Sequence, residues 1–151
     1  EGKELSGKRK GFEMKIAVSA CLLGENCKYN GGNNYSEKVV EYIKGCEVVP
    51  VCPEVLGGLP TPRESAEIVK GTVSHKDGTS VDKEFRLGAK RALEIIKVQR
   101  ADLVILQSRS PSCGVNTVYD GSFSGMLISG QGVFAELLRK NGVKVMDVED
   151  L

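Results

Sequence analysis

The sequence predicts an α/β fold: a single three-layer domain with a mostly parallel sheet, helices on both faces and small β-hairpin insertions. Short runs of Val, Ile and Leu alternate along the chain with stretches whose apolar residues recur at helical spacing. Gly, Pro, Asn and Asp punctuate these segments, and no internal repeat or interdomain linker interrupts them. Such alternation of strands and helices is typical of a parallel sheet that helices cover on both faces.

Composition and charge narrow the class of protein. The 151 residues suit one domain, and 40% hydrophobic residues can build its core without crosslinks. We place the domain at residues 14–151 and interpret the polar residues 1–13 as a disordered extension or a cloning remnant. No apolar run approaches the ~20 residues that cross a bilayer, and no export signal is present, so a cytoplasmic location is expected. The net charge of +1 predicts neither a nucleic-acid polymer nor a membrane surface as partner.

Three predicted strands end at a cysteine or lead directly to one. They are Lys15–Ala20 before Cys21, Glu47–Val51 before Cys52, and Asp102–Gln107 before the loop of Cys113. In parallel α/β folds, ligands bind beyond the carboxyl ends of the strands. If these strands are parallel neighbours, their three thiols converge on one edge of the sheet.

Capping residues and turn residues predict the remaining elements. Ser36 and Asp82 are expected to cap two helices, and Gly130-Gln-Gly132 opens a last one. Two glycines before a helix also match a phosphate-binding turn, but only weakly. The remaining predicted segments are an irregular loop at 53–65, a hairpin at 66–81 around the turn 75–78, a hairpin at 118–128 turning at 120–121, and a closing strand at 143–145.

The five cysteines allow several kinds of site. A zinc site usually has four ligands and often a local C-x₂₋₄-C pair, which is absent, although Cys27 could be a fourth ligand. A C-x-x-C redox motif is absent too. An iron–sulfur cluster tolerates dispersed thiolate ligands, while a catalytic thiol and buried structural cysteines remain open on pattern alone. Cys46 is expected to be a core residue at a strand edge.

Three motifs resemble the signature of the thiouracil desulfidase family, long catalogued as a domain of unknown function. They are SACLLGENCKYNGG (19–32), PVCPEVLGGLPTPRESAEI (50–68) and SRSPSCGVNTVYDGSFSG (108–125), within a similarity that runs from about Met14 to the C-terminus. The resemblance implies a [4Fe–4S] cluster on three cysteines and a fourth iron that binds the sulfur of a thiolated uracil. It also implies that sulfur is removed without net redox change.

Carried over by motif, the cluster ligands are Cys21, Cys52 and Cys113. Cys27 is either a nearby support or the true ligand in place of Cys21. Glu54 could be a solvated loop carboxylate, but the resemblance favours a general acid/base beside the cluster.

Three polar side chains complete the predicted site. Ser110 is assigned a catalytic contact with the pyrimidine, and Ser112 either contacts the substrate or caps the loop. Arg63 either binds an anionic group of the substrate or pairs with Glu64 on the surface. His75, the only histidine, is expected to be exposed in a hairpin turn.

The sequence therefore predicts an enzyme that removes sulfur from 2-thiouracil or a related thiolated pyrimidine. Its expected partners are a small thiolated base and a sulfide acceptor. The alternative is a metal- or cluster-binding module without catalysis, and a third reading is a redox protein that uses its thiols directly.

Overall fold

The computed structural model describes residues 14–151, in which four parallel strands form the central sheet. β1 (Lys15–Ser19) lies between β2 (Glu47–Val51) and β5 (Leu103–Leu106), and β8 (Val145–Asp147) flanks β5. All three pairings are parallel. The three strands that precede cysteines are thus parallel neighbours, and the predicted fold class is confirmed.

Helices cover both faces of this sheet and create two apolar cores. On one face, α3 (Asp82–Gln99) and α4 (Val133–Lys140) bury side chains such as Phe85 and Phe134. On the other face, α1 (Glu37–Tyr42) and the 3₁₀ turn Ala20–Leu23 pack over the strands. Alternate residues of a strand point to opposite faces, so Ala17 of β1 joins the first core while Ile16 and Val18 join the second.

Two antiparallel hairpins are inserted beside the sheet, as predicted. They are β3 (Ala66–Val69) with β4 (Thr72–His75), and β6 (Thr117–Tyr119) with β7 (Leu127–Ser129). A turn at Lys70 and Gly71 joins β3 to β4, because both residues adopt the positive φ that a two-residue hairpin turn requires. The predicted turn at 75–78 forms as well, directly after β4, where the Gly78 N–H donates to the His75 carbonyl at 3.0 Å and Ser74 pairs with Ser80. His75 ends β4 and begins this second turn, and it is half-buried, so only its expected exposure was wrong.

Two boundaries differ from the predictions for local reasons. A short helix, α2 (Pro53–Leu56), begins the stretch 53–65 that was predicted to be irregular, because proline is favoured in the first helical turn. The closing strand begins at Val145, since Gly142 (φ +73°) ends α4 and the Val143 N–H still donates to the Leu138 carbonyl.

The interpretation of residues 1–13 lies outside the described residues. Within residues 14–151, no helix combines the length and apolar character needed to cross a membrane.

Two glycines bring α2 and α3 into backbone contact. A Cβ atom added at Gly88 of α3 would overlap the carbonyl oxygen of Pro53, and one added at Gly57 would overlap that of Glu84. Only glycine permits such close approach of two backbones. This contact holds α2, and with it the chain immediately after β2, against the long helix.

Candidate active site

A cavity of about 590 Å³ lies beyond the carboxyl edge of the parallel sheet. Its lining includes four cysteines from three separate parts of the chain: Cys21, Cys27, Cys52 and Cys113. All five cysteines of the chain are free thiols. Cys46 does not line this cavity and instead packs against the second core, as expected from the sequence.

The ends of β1 and β2 position the first two predicted ligands. Cys21 lies in the 3₁₀ turn that follows β1, and Gly24 (φ +98°) closes that turn. The loop then folds back, so that the Asn34 N–H donates to the Cys21 carbonyl at 2.9 Å. Cys52 follows β2 as the N-cap residue of α2. Each cysteine is therefore held by the strand before it and by the hydrogen-bonded turn or helix that contains or follows it.

A tight serine turn positions Cys113 after β5. The Ser110 hydroxyl oxygen accepts the backbone N–H groups of Ser112 and Cys113, each at 3.0 Å. The carbonyl of Ser112 accepts the N–H groups of Phe134 and Ala135 in the first turn of α4. The N-terminus of α4, a weak match to a phosphate-binding turn, is thus capped by the cysteine loop itself.

Polar donors surround the cysteine sulfurs. Asn34 Nδ2 donates to Cys21 Sγ at 3.4 Å, while the Ser19 hydroxyl donates to the Cys113 sulfur. Burial raises the pKa of the Cys21 thiol, and it raises the pKa of Cys113 to about 12. Metal ligation would therefore have to displace protons from these thiols.

Cys27 lies beside Cys52 within the cavity lining. The Cys27 and Cys52 thiols interact with each other, and this interaction lowers the pKa of Cys52 to about 7 and raises the pKa of Cys27. Cys52 is thus the thiol most ready to ionise, and Cys27 supports its negative charge. Two roles were considered for Cys27: a nearby support, or a ligand in place of Cys21. This contact fits the supporting role, but Cys21 and Cys27 both line the cavity.

Glu54 projects into the same cavity and is held at both carboxylate oxygens. Oε1 accepts Nε and Nη2 of Arg63 at 3.1 and 3.0 Å, and Oε2 accepts the Ser112 hydroxyl at 2.9 Å. The side chains of Arg63 and Glu54 are only 6% and 15% exposed. Glu54 is therefore not the solvated loop carboxylate considered as an alternative.

Arg63 uses every N–H group it has on acceptors of the protein. Besides Glu54, these acceptors are the backbone carbonyls of Cys27 and Pro60 and the hydroxyl of Thr61. The surface pair with Glu64 was a wrong expectation, because the buried guanidinium takes the more enclosed carboxylate of Glu54. Contact between Arg63 and substrate stays a prediction. What the structure places here is a clamp that joins Glu54 to the Cys27 loop.

Ser110 and Ser112 form a directed hydrogen-bond chain to Glu54. Ser110 Oγ already accepts two N–H groups, so its own hydrogen is left to donate to Ser112 Oγ, 3.0 Å away. Ser112 in turn donates to Glu54. Ser110 is half-buried at the cavity, whereas Ser112 is 1% exposed. The substrate contacts predicted for both remain predictions.

The donor set fits an iron–sulfur cluster. Thiolates are the ligands that iron–sulfur clusters require, and hydrogen bonds to ligand sulfurs are the usual means of tuning them. Three thiols at the ends of neighbouring strands share the cavity with such donors. Among residues 14–151, no three His, Cys, Asp or Glu side chains are grouped tightly enough for one metal ion. The ligands of a cluster bind different irons, so they lie farther apart than the ligands of a single metal ion.

Several residues of this cavity were not predicted from the sequence. Ser19 and Asn34 contact cysteine sulfurs, and Gln107 and His75 line the cavity. The position of Ser19 and Gln107 at the ends of predicted strands was a signal that could have found them. Asn34 carried no comparable signal, because its contact depends on how the loop after Cys21 folds back.

A profile of the 2-thiouracil desulfurase family matches residues 16–150 of the chain. The chain belongs to this family. A curated relative, the uncharacterized protein YbbK of Bacillus subtilis (strain 168), is 40% identical over 146 residues, or 90% of this chain and 97% of YbbK. Among solved structures, the chain is similar to the [4Fe-4S]-dependent thiouracil desulfidase TudS (DUF523Vcz), with a TM-score of 0.87 and 38% identity. That similarity covers 92% of this chain and 93% of TudS. The resemblance predicted from three motifs is thereby confirmed.

Proposed function

We propose that the chain is a [4Fe–4S]-dependent desulfidase that removes sulfur from 2-thiouracil or a related thiolated pyrimidine. The observation that carries the proposal is the meeting of Cys21, Cys52 and Cys113 with a clamped carboxylate, Glu54, in one cavity. Membership of the 2-thiouracil desulfurase family and likeness to TudS support the same conclusion. A cavity of about 590 Å³ is in the range of small-molecule sites, which suits a single base.

Cys21, Cys52 and Cys113 would hold the cluster. When bound, a cluster on three thiolates supplies an iron without a protein ligand, a thiophilic Lewis acid that can bind and polarise a thiocarbonyl sulfur. Ser19 and Asn34 donate to two of the three sulfurs and so stabilise the charge of those ligands. Cys27 does the same for Cys52.

Glu54 acts as the general base. The reaction is 2-thiouracil plus water giving uracil plus hydrogen sulfide, so water must lose a proton as it adds to the carbon that bears sulfur. Glu54 accepts that proton, and the carboxyl group returns it when the carbon–sulfur bond breaks and sulfide departs. A positioned base of this kind contributes ~10²–10⁴-fold. Arg63 and Ser112 fix the orientation of the carboxylate by three hydrogen bonds.

Ser110 acts as a donor toward the pyrimidine, for which its hydroxyl hydrogen turns from Ser112 Oγ, 3.0 Å away, to the substrate. Two backbone N–H groups polarise its oxygen, which makes its hydroxyl a stronger hydrogen-bond donor. Ser112 acts through Glu54, because a direct substrate contact would require its buried hydroxyl to leave the carboxylate.

Release of sulfide from 2-thiouracil tests the proposal. Protein reconstituted with iron and sulfide under anaerobic conditions should be brown, with broad absorption near ~400 nm. It should then form uracil and sulfide in equal amounts, with repeated turnover and without added reductant or oxidant. The same protein without iron is the control. A fully loaded protein that releases no sulfide from any thiolated pyrimidine would favour the alternative of a cluster-binding module without catalysis.

A further inference from the structure

The side-chain amide of Gln107 is a polar group of the cavity that the proposed chemistry does not use. Gln107 directly follows β5, is half-buried and lines the cavity. Its backbone N–H donates to the Ser19 hydroxyl at 3.0 Å. Within the part of the chain that the structure describes, however, its side-chain amide has no hydrogen-bond partner. This amide is therefore free to bind a molecule that enters the cavity.

The position of Gln107 ties this amide to the reaction centre. The Ser19 hydroxyl that accepts the Gln107 N–H also donates to the Cys113 sulfur. The backbone of Gln107 is thus anchored one hydroxyl group away from a proposed cluster ligand, while its side chain stays free to meet a ligand.

The other polar groups nearby do not offer the same pair of functions. The amide nitrogen of Asn34 already donates to the Cys21 sulfur. Lys28 can only donate, and Ser108 has a single hydroxyl. Gln107 presents an acceptor oxygen and a donor nitrogen side by side, with neither engaged.

We infer that Gln107 recognises the edge of the pyrimidine formed by N3 and the substituent on C4. In 2-thiouracil, the amide oxygen would accept N3–H and the amide nitrogen would donate to the C4 oxygen. Turned over, the same amide pairs with N3 and the amino group of 2-thiocytosine. The substrate class is therefore 2-thiopyrimidines that carry a hydrogen-bonding group at C4. This inference rests on the proposed function.

Ligand binding tests the role of Gln107 separately from turnover. Calorimetry on the cluster-loaded protein compares uracil with pyrimidin-2-one, which lacks the C4 oxygen. The wild type should bind uracil up to about tenfold more tightly, as expected for the one added hydrogen bond at C4, because the amide can still donate to N3 of pyrimidin-2-one. Gln107→Ala should lose about tenfold or more in affinity for uracil and clearly less for pyrimidin-2-one, so that the preference for uracil disappears. Gln99→Ala, the same change at an exposed position of α3, is the matched control and should retain the wild-type preference.

An equal loss of both ligands in Gln107→Ala would indicate a merely structural role and overturn the inference. So would an unchanged preference in that variant, or a wild type that binds uracil no better than pyrimidin-2-one or not at all. Sulfide release by the wild type distinguishes a failure of the Gln107 inference from a failure of the proposed function. Turnover of 2-thiouracil with an unchanged preference in Gln107→Ala defeats only the role of Gln107, whereas a loaded wild type without turnover defeats the proposed function.

Discussion

Glu54→Gln should lower the rate of 2-thiouracil desulfidation at least ~10²-fold while the cluster content stays at the wild-type level. Glutamine has the same shape, and its oxygen can still accept the two donors of Arg63. The Ser112 hydroxyl can rotate to accept from the new amide nitrogen. The variant thus keeps the local structure and loses only the ability to take a proton from water.

Single-turnover and steady-state assays on anaerobically reconstituted protein measure this effect. Iron and acid-labile sulfide must be counted in the same samples, so that a lower rate is not due to lower occupancy. Glu94→Gln, the same change on the exposed surface of α3, is the matched control. Wild-type turnover in Glu54→Gln at equal cluster content would remove Glu54 from the mechanism.

Gly88→Ala should destabilise the fold and impair the site, although Gly88 lies in a helix and away from the cavity lining. Helix propensity alone favours alanine over glycine by about 1 kcal/mol. The added methyl group would overlap the Pro53 carbonyl and approach Gly57 N to 2.9 Å, and no rotamer change can relieve a clash with backbone. Overpacking of this kind costs roughly 1–3 kcal/mol or more. We therefore expect a net loss of stability, the opposite sign from propensity.

The same clash should reach the active site through α2. Pro53 lies between Cys52 and Glu54, so moving it shifts both a proposed ligand and the proposed base. A displacement of about 1 Å can cost ~10²-fold in rate. The free energy of unfolding measured with denaturant, the iron content and the rate of sulfide release should all decline together. Gly130→Ala, where the new methyl meets only the Val118 side chain at 3.3 Å, is the comparison. Unchanged stability and full cluster content in Gly88→Ala would show that α2 is not held as described.

The convergence of the cysteines could be predicted because it depends on chain direction alone. Once Lys15–Ala20, Glu47–Val51 and Asp102–Gln107 are recognised as parallel neighbours, the residues that follow them must share one edge of the sheet. The short apolar run of β1 and the helical spacing in α3 are likewise local sequence patterns. These features depend on short stretches of sequence, and the structure confirms them.

The support of Glu54 could not be predicted in the same way. Whether Arg63 pairs with Glu54 or with the adjacent Glu64 depends on how the turn after α2 folds back, and neighbouring carboxylates look alike in a sequence. The serine chain depends on the orientation of single hydroxyl groups within one turn. The hairpin turn at Lys70 and Gly71 was missed because a competing turn signal follows at 75–78.

Iron content in five single cysteine-to-alanine variants, each reconstituted without oxygen, tests the proposed cluster ligands most directly. These ligands are Cys21, Cys52 and Cys113. Cys21→Ala, Cys52→Ala and Cys113→Ala should each lose the cluster and its absorption near ~400 nm, since a cubane left with two thiolates is not retained. Cys27→Ala and Cys46→Ala should keep about four irons per chain, because the proposal gives Cys27 a supporting role beside Cys52 and Cys46 packs against the second core. Full iron content in Cys21→Ala together with its loss in Cys27→Ala would contradict the assignment and make Cys27 the ligand in place of Cys21.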